Sequence, residues 1–188
     1  MFSAPEKNIE QLELKPNQII ADFGAGSGAY TLAAAKALKG TGKVYAIEVQ
    51  KQMLTTLQNT CTSEHLGNVA FVWGNIELMG GSKLGDNTCD VVIVSNVLFL
   101  APDKRVIIEE ARRILRPGGR LLLIDWTASF NNMGPTKDQI FSEIDARLLL
   151  EEARLTFEKP IDSGNFHYGL IYRKGAYQSQ PSQLLSTR

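Results

Sequence analysis

Five residues near the start of the chain have the types and spacing needed to bind a ligand that contains a nucleoside. They are Asp22, Gly24, Gly26, Gly28 and Glu48. Glycine has no Cβ, so its backbone can approach a ligand closely. The helix expected after the glycines presents unpaired N–H groups at its start. Glu48 follows Gly28 by 20 residues, a spacing that suits a carboxylate bound to two ribose hydroxyls. These residues predict a site for an adenosine-containing ligand.

The same residues favour S-adenosylmethionine over NAD. The turn is Gly-x-Gly-x-Gly and not the Gly-x-Gly-x-x-Gly of dinucleotide sites. The Asp22 carboxylate, two residues before Gly24, suits an ammonium group and would repel a pyrophosphate. No tyrosine has a lysine four residues later, although short-chain dehydrogenases need that pair. A chain of 188 residues leaves no room for the separate substrate domain of larger dehydrogenases.

Composition limits the remaining classes of function. The 20 basic and 20 acidic residues give no positive field for nucleic acid. Cys61 and Cys89 are far apart and form no Cys-x-x-Cys, which argues against a disulfide framework and against a metal site. No apolar stretch resembles a signal peptide or a membrane span. We therefore expect a cytoplasmic protein with a small-molecule substrate, no metal, no nucleic-acid partner and no membrane span. The residues make no prediction of oligomeric state.

Apolar segments alternate with segments of helical period along most of the chain. Strands are expected at residues 19–23, 43–49, 68–75, 89–96 and 120–126, and the main helices at residues 30–38, 50–62, 102–115 and 142–155. Residues 157–162 and 167–173 flank a short polar loop and predict a hairpin. This order predicts an α/β fold with a doubly wound sheet and an added antiparallel hairpin. Ligands of such sheets bind at the carboxyl ends of the strands.

Two expectations concern the helix at residues 102–115 and the turn after it. Its charged residues are interpreted as a solvated face. Residues 116–119, Arg-Pro-Gly-Gly, predict a helix stop and a tight turn before the fifth strand. We expect residues 1–174 to form one domain, in which residues 1–17 are an N-terminal helix and linker. Residues 175–188 are expected to be a polar tail.

Four segments in this order resemble class I S-adenosylmethionine-dependent methyltransferases, in particular the small ubiquinone/menaquinone-biosynthesis type. They are residues 21–28, 44–48, 90–98 and 113–121. The resemblance covers residues 9–173. It implies a doubly wound, Rossmann-like sheet of seven strands in the order 3-2-1-4-5-7-6, with strand 7 antiparallel. It also implies a single methyltransferase domain and the cofactor S-adenosyl-L-methionine.

The resemblance implies that fourteen residues contact the cofactor. These are Asp22, Phe23, Gly24, Ala25, Gly26, Gly28, Tyr30, Glu48, Val49, Met53, Asn75, Ile76, Ser95 and Asn96. The glycine turn would pass beneath the methionine part, Asp22 would support its ammonium group, and Glu48 would hold the ribose. Asn75 stands where many members carry an aspartate, and its amide oxygen can still accept a hydrogen bond from adenine.

The acceptor of the methyl group is less well defined by the residues. Alignment of the two reactants and exclusion of water are the main needs of the transfer, and a base is required only if the acceptor must lose a proton. Candidate bases are Asp125, His167 and Tyr168. Candidates for an apolar acceptor pocket are Phe99, Trp126, Phe130 and Met133.

Residues 95–98 lack the Asn/Asp-Pro-Pro-Tyr/Phe motif of nucleic-acid amino methyltransferases, and two cysteines are too few for arsenite methylation as relatives perform it. Methylation of a small molecule is the leading hypothesis. A protein methyltransferase, and a module that binds S-adenosylmethionine or another nucleotide without catalysis, remain alternatives.

Overall fold

A computed structural model describes residues 4–129 and 134–175. The helices are α1 (Pro5–Glu10), α2 (Ala29–Ala37), α3 (Lys51–Ser63), α4 (Lys104–Ile114) and α5 (Glu143–Glu152). The strands are β1 (Ile19–Phe23), β2 (Lys43–Glu48), β3 (Val69–Trp73), β4 (Cys89–Ser95), β5 (Leu115–Trp126), β6 (Leu155–Ile161) and β7 (His167–Lys174). No helix among the described residues is long and apolar enough to cross a membrane.

The seven strands form one sheet in the order β3-β2-β1-β4-β5-β7-β6. Strands β1 to β5 pair in parallel, and β7 runs antiparallel to both β5 and β6. The predicted fold class, strand order and hairpin are therefore confirmed. The strand order reverses at β1, which lies between β2 and β4, so the carboxyl end of β1 is the expected place for a ligand.

Helices cover both faces of the sheet, and the core has two main layers. On one face, here called the α2 face, alternate residues of the central strands pack against α1, α2 and α3. On the other, the α4 face, the intervening residues pack against α4 and α5. Six of the seven residues of β4 are buried, as expected of a parallel strand covered on both sides. Because side chains alternate along a strand, neighbouring residues at a strand end face opposite layers.

Strand β5 begins earlier than the sequence predicts. Leu115 already pairs with Cys89, and the next pair is Arg120 with Val91. Residues 116–119 therefore form a bulge within β5, in which Gly118 has φ +78°. The predicted helix stop is present at Ile114, but residues 116–119 lie within the strand and do not form a turn before it.

The prediction of a solvated charged face on α4 is wrong for Glu110. This carboxylate is fully buried and accepts hydrogen bonds from the backbone N–H of Gly80 (2.8 Å) and Ser82 (3.1 Å) and from the Ser82 hydroxyl (2.5 Å). Arg113, one turn further along α4, donates to both of its oxygens. The loop after β3 has no ladder to satisfy its N–H groups, so Glu110 supplies acceptors for it.

Candidate functional site

The carboxyl ends of β1, β2, β3 and β4 surround a cleft of about 210 Å³. Its walls are Gly24, Ile47, Glu48, Val49, Gln50, Gly74, Asn75, Ile76, Glu77, Asn96, Val97 and Leu100. Six of the predicted cofactor residues lie in these walls: Gly24, Glu48, Val49, Asn75, Ile76 and Asn96. The cleft thus forms at the reversal of strand order, where four strand ends bring together residues that are distant in sequence.

Glu48 connects the glycine turn to the end of β2. Its two carboxylate oxygens accept hydrogen bonds from the N–H of Gly26 (3.0 Å) and of Gln50 (2.9 Å). The N–H of Ala25 donates to the carbonyl of Ile47 (3.0 Å), which adds a second tie between turn and strand. Each carboxylate oxygen keeps a further lone pair, so Glu48 can hold the turn and also accept from hydroxyl groups in the cleft.

Two glycines of the turn are required for different reasons. Gly28 has φ +90°, and a Cβ on it would lie 2.0 Å from Cδ1 of the buried Leu57. Gly24 has φ +67°, and its Cβ would lie 2.9 Å from Cγ2 of Val97 in the cleft wall. Packing of α3 against the turn therefore requires Gly28, whereas Gly24 keeps the cleft open.

Asp22 lies beneath the turn and outside the cleft walls. The residue is 3% exposed, and its carboxyl group accepts a hydrogen bond from the Thr31 hydroxyl at 2.6 Å. Burial is the main reason that the pKa of Asp22 is raised to about 7, and the charge of Glu48 raises it further. The hydrogen bonds from Thr31 lower the pKa and only partly offset the effect of burial. Near neutral pH both forms of this carboxyl group are therefore populated, and a cation near the turn would favour the charged form.

The other predicted cofactor residues surround the turn without lining the cleft. The Tyr30 hydroxyl accepts a hydrogen bond from the Asn8 amide at 2.8 Å, which joins α2 to α1. Phe23 and Ala25 are buried in the core. Met53 is 39% exposed on α3, and Ser95 ends β4 beside Asn96.

The sequence did not single out several cleft residues, of which Gly74 and Glu77 are the clearest. A Cβ on Gly74 would lie 2.4 Å from the carbonyl oxygen of Gly81, so the loop after β3 folds back closely on its own start. The Asn75 side-chain oxygen accepts from the N–H of Glu77 at 3.0 Å and has one lone pair left for a ligand. The only sequence signal for this loop was its glycine content.

The three candidate bases divide between the two faces of the sheet. Asp125 pairs with Tyr168, and Trp126 pairs with His167. Tyr168 packs in the core of the α4 face, so Trp126 and His167 lie on the α2 face. The structure therefore does not bring Asp125, Tyr168 and His167 into one catalytic group.

Asp125 is fully buried, and its oxygens are engaged by backbone. It accepts from the N–H of Phe99 at 3.2 Å and of Trp126 at 2.8 Å, so it ties the loop after β4 to the end of β5. Burial raises its pKa to about 6, while these hydrogen bonds and the charge of Lys104 act in the opposite direction. The geometry makes Asp125 an anchor at the edge of the site.

The structure describes only some of the residues that the sequence suggests for the acceptor pocket. The rings of Trp126 and His167 are 4.2 Å apart, centre to centre. Burial raises the pKa of Tyr168 and lowers that of His167. Phe99 lies in the described loop after β4 and is partly buried. Phe130 and Met133 lie outside the described residues.

Comparison with known proteins identifies the family. The methyltransferase domain family matches residues 14–165. The chain is 31% identical over 120 residues to the ubiquinone/menaquinone biosynthesis C-methyltransferase of Hydrogenovibrio crunogenus, with 63% of this chain and 46% of that protein covered. It is 30% identical over 112 residues to the arsenite methyltransferase of Halobacterium salinarum, with 60% and 28% covered. The chain thus spans less than half the length of both curated relatives.

Among solved structures, a SAM dependent methyltransferase from Aquifex aeolicus superimposes with a TM-score of 0.81 at 27% identity. The match covers 92% of this chain and 90% of that one. Because the family match includes the glycine turn, Glu48 and the strands around the cleft, the chain belongs to the methyltransferase domain family and its cofactor is S-adenosylmethionine.

Proposed function

We propose that this protein transfers a methyl group from S-adenosylmethionine to a small-molecule acceptor. The observation that carries the proposal is the position of Glu48, which holds the glycine turn and faces the cleft at the same time. When bound, the cofactor supplies a methyl group on a positively charged sulfur. The chain's own residues then have to hold the cofactor, orient the acceptor and exclude water.

The cleft residues fit this cofactor. The Glu48 carboxylate would accept from the ribose hydroxyls, and the Asn75 oxygen and the Ile76 N–H would meet adenine. Val49 and Met53 would flank the adenine ring. Support comes from Asn96, which has φ +55° and whose buried side-chain oxygen has no hydrogen-bond partner among the described residues although it borders the cleft. A polar ligand would satisfy it.

The turn and the residues beneath it would hold the amino-acid end of the cofactor. The backbone of Phe23, Gly24, Ala25, Gly26 and Gly28 would pass beneath the methionine part, and Ser95 would line its other side. Asp22 would support the ammonium group through the turn. Tyr30 would act indirectly, since its bond to Asn8 fixes α2 against α1.

A small-molecule acceptor is supported by the printed functions of the curated relatives, which concern quinone biosynthesis and arsenite. Cys61 lies on α3 and Cys89 at the first residue of β4, at the edge of the sheet opposite the cleft. Both are buried free thiols. Their positions argue against a thiolate set for arsenite beside the cofactor and favour an organic acceptor.

Replacing Glu48 with glutamine is expected to slow methyl transfer at limiting cofactor. The substitution removes a charge-assisted acceptor and places an amide beside backbone N–H groups, which costs about 1–3 kcal/mol of cofactor binding. The assay adds purified protein and methyl-labelled S-adenosylmethionine to a fractionated lysate. We expect label in the low-mass fraction with the unmodified protein and much less with E48Q.

Glu152→Gln is the matched control because Glu152 pairs with Arg105 on the surface of α5. Label confined to macromolecules would contradict the proposal and support a protein methyltransferase. Cofactor binding without label in any fraction would support a binding module without catalysis.

The cellular location, the partners and the domain bounds of the protein are also part of the proposal. We propose a cytoplasmic location without a nucleic-acid partner, supported by the two free cysteines and by the equal numbers of acidic and basic residues. We further propose that residues 1–174 are one methyltransferase domain, since a single sheet runs from β1 to β7. The tail from residue 176 lies outside the described residues.

A further inference from the structure

Strand β3 lies at one end of the sheet and lacks the features that usually protect an end strand. Among the described residues it pairs with β2 and with no other strand. Its residues, Val69–Trp73, include no charge and no proline, and their register with β2 has no shift. Four of them are half-buried and Trp73 is exposed. A regular, uncharged, apolar edge of this kind is a template for pairing with another chain.

The end strand on the other side of the sheet, β6, is protected against such pairing. It carries Glu158, Lys159 and Pro160, and its register with β7 shifts between Phe157 and Lys159. Lys159 also forms an ion pair with Glu13 at 3.2 Å. Charge, proline and a bulge are the features by which end strands avoid other strands. The two edges therefore differ, and β3 is the edge that is open to a partner.

The hydrogen-bonding groups of β3 that point away from the sheet are placed symmetrically. The carbonyl of Asn68 accepts from β2 at 2.9 Å, and the N–H of Gly74 donates to β2 at 3.2 Å. Because alternate residues of a parallel strand bond to the same neighbour, the even-numbered residues of this segment bond to β2. The N–H and carbonyl groups of Val69, Phe71 and Trp73 therefore point outward, with Phe71 at the centre.

A second copy of the same strand matches these outward groups. When two β3 strands lie antiparallel around a two-fold axis at Phe71, Phe71 faces its own copy and Val69 faces Trp73. Each facing pair can exchange both of its main-chain hydrogen bonds, as in an antiparallel ladder. Pairs of aromatic residues, and of an aromatic with a β-branched residue, are favourable across such a ladder. The edge is thus complementary to itself in hydrogen bonding and in side chains.

The position of α3 above this edge fits the same arrangement. Leu57 and Cys61 of α3 cluster with Ala46 of β2 and Phe71 of β3, so the helix lies over the groove between the two strands. With strands about 4.8 Å apart, the helix axis would be about 5 Å from the two-fold axis. The two copies of α3 would then lie about 10 Å apart, which is the distance at which helices pack.

The side of α3 that faces this edge has an uncharged middle. Nζ of Lys51 lies 3.9 Å from the centre of the Trp73 ring, so the helix row that begins at Lys51 faces the end of the sheet. At helical spacing this row continues through exposed, uncharged residues, which are Thr55, Gln58 and Thr62. Two copies of α3 can therefore approach each other without repulsion between charges.

The charge at the start of α3 favours an antiparallel copy. Lys51 is the first residue of the helix, where a positive charge opposes the dipole of its own helix. In an antiparallel pair, Lys51 lies beside the carboxyl end of the partner's helix, where the dipole is negative. Glu64 follows that end and pairs with Lys36 of α2 at 2.6 Å, so the complementarity rests on Lys51 and the helix end.

We propose that this protein forms a dimer with a second copy of itself, in which the β3 strands pair antiparallel about Phe71 and the α3 helices pack side by side. The two sheets would then join into one. The end of β3 continues into the cleft walls Gly74 and Asn75, and the Trp73 indole donates to the Val49 carbonyl at 2.9 Å. The dimer would therefore hold one wall of the cleft in place. The inference does not depend on the methyl acceptor.

Sedimentation equilibrium of the full chain with charged variants of Gln58 tests the dimer. The unmodified protein should approach twice the 20.7 kDa of one chain as its concentration rises. Gln58→Glu and Gln58→Lys each place like charges across the two-fold axis, so each alone should raise the dissociation constant roughly tenfold or more. An equal mixture of the two variants should associate at least as well as the unmodified protein. A monomer at every concentration, or a mixture no better than either variant alone, would overturn the proposal.

The matched controls are Gln52→Glu and Gln52→Lys. Gln52 is exposed on the same helix but lies about 120° around the helix axis from Gln58, away from the edge. These variants should leave the dissociation constant unchanged, and equal melting temperatures would show that all four variants fold. Equal weakening by the Gln52 and Gln58 variants would refute the proposed contact.

Hydrogen exchange of individual amides locates the contact independently of any variant. In concentrated protein we expect protection at Val69, Phe71 and Trp73, and dilution to the monomer should remove it. Ala70 and Val72 bond to β2 and should stay protected in both states. A dimer that leaves the three outward amides unprotected would place the contact elsewhere. Protection that persists in the monomer would mean that another part of the chain covers the edge. Either result would overturn the proposal.

Discussion

Asp22→Asn is expected to make the protein more stable above pH 7 and, at the same time, a weaker binder of S-adenosylmethionine. The folded-state pKa of Asp22 is raised from 3.8 to about 7, chiefly by burial. Between these two values the folded state holds more protons than the unfolded state, so the stability contributed by this group falls as pH rises. Asparagine carries no charge and its oxygen can still accept from Thr31. The variant should therefore gain about 4 kcal/mol over the unmodified protein above pH 7, and almost nothing near pH 4.

The loss of binding has the same origin. The Asp22 charge costs stability in the protein without ligand, and in our proposal the same charge would favour an ammonium group above the turn. Its removal should therefore weaken cofactor binding by about 1–3 kcal/mol. Urea denaturation from pH 4 to pH 8 and calorimetry with S-adenosylmethionine measure the two effects. Asp138→Asn, at an exposed position, is the control. Parallel stability curves for D22N and the unmodified protein would contradict a raised pKa at Asp22.

Glu110→Ala is expected to cost about 3–5 kcal/mol of stability, as for a buried ion pair that loses one partner. The substitution leaves the buried N–H groups of Gly80 and Ser82 without their acceptor. It also removes one of the two carboxylates that pair with Arg113, which keeps Asp86. The loop after β3, which begins at the cleft residues Gly74 and Asn75, should loosen, and cofactor binding should weaken with it. Urea denaturation gives the first effect, and calorimetry gives the second.

The pH dependence of the free energy of unfolding shows that the stabilisation comes from the ionised Glu110 carboxylate. Burial would raise the pKa of Glu110, but the hydrogen bonds from Arg113, Ser82 and Gly80 outweigh it and lower the pKa from 4.5 to about 2. The ionised Glu110 carboxylate therefore stabilises the folded state by about 3 kcal/mol above pH 4.5. This stabilisation is lost as the pH falls towards 2. Glu109→Ala, on the half-exposed side of the same helix, should have little effect. An E110A protein as stable as E109A at pH 7 would refute this role.

The fold was predictable because its signals are local. The apolar run of β4 indicated a strand covered on both faces, and the alternation of strands and helices gave a doubly wound sheet. The resemblance supplied the strand order, which periodicity does not contain. The start of β5 was missed because the Arg-Pro-Gly-Gly turn reads as an end, whereas Leu115 already pairs with Cys89.

The site was only partly predictable, for a physical reason. The spacing between Gly28 and Glu48, which the βαβ unit fixes, places Glu48 beside the glycine turn, and the hydrogen bond from the Gly26 N–H agrees with that position. Glu110 was not, because its partners lie about 30 positions earlier in a loop without periodicity. The separation of His167 from Asp125 and Tyr168 depends on which face each strand position takes, and that follows from the pairing of β5 with β7. The sequence pattern indicates a ligand contact at Gly28, although close packing against Leu57 already requires a glycine there.

Calorimetric titration of the unmodified protein with S-adenosylmethionine, S-adenosylhomocysteine and NAD tests the central claim most directly. We expect the first two to bind at one site and to displace each other, because the Glu48 carboxylate beside the glycine turn would accept from a ribose and the buried Asp22 carboxylate would oppose a pyrophosphate. We expect no heat from NAD under the same conditions. Binding of NAD without a response to the other two would contradict the assignment of the cofactor.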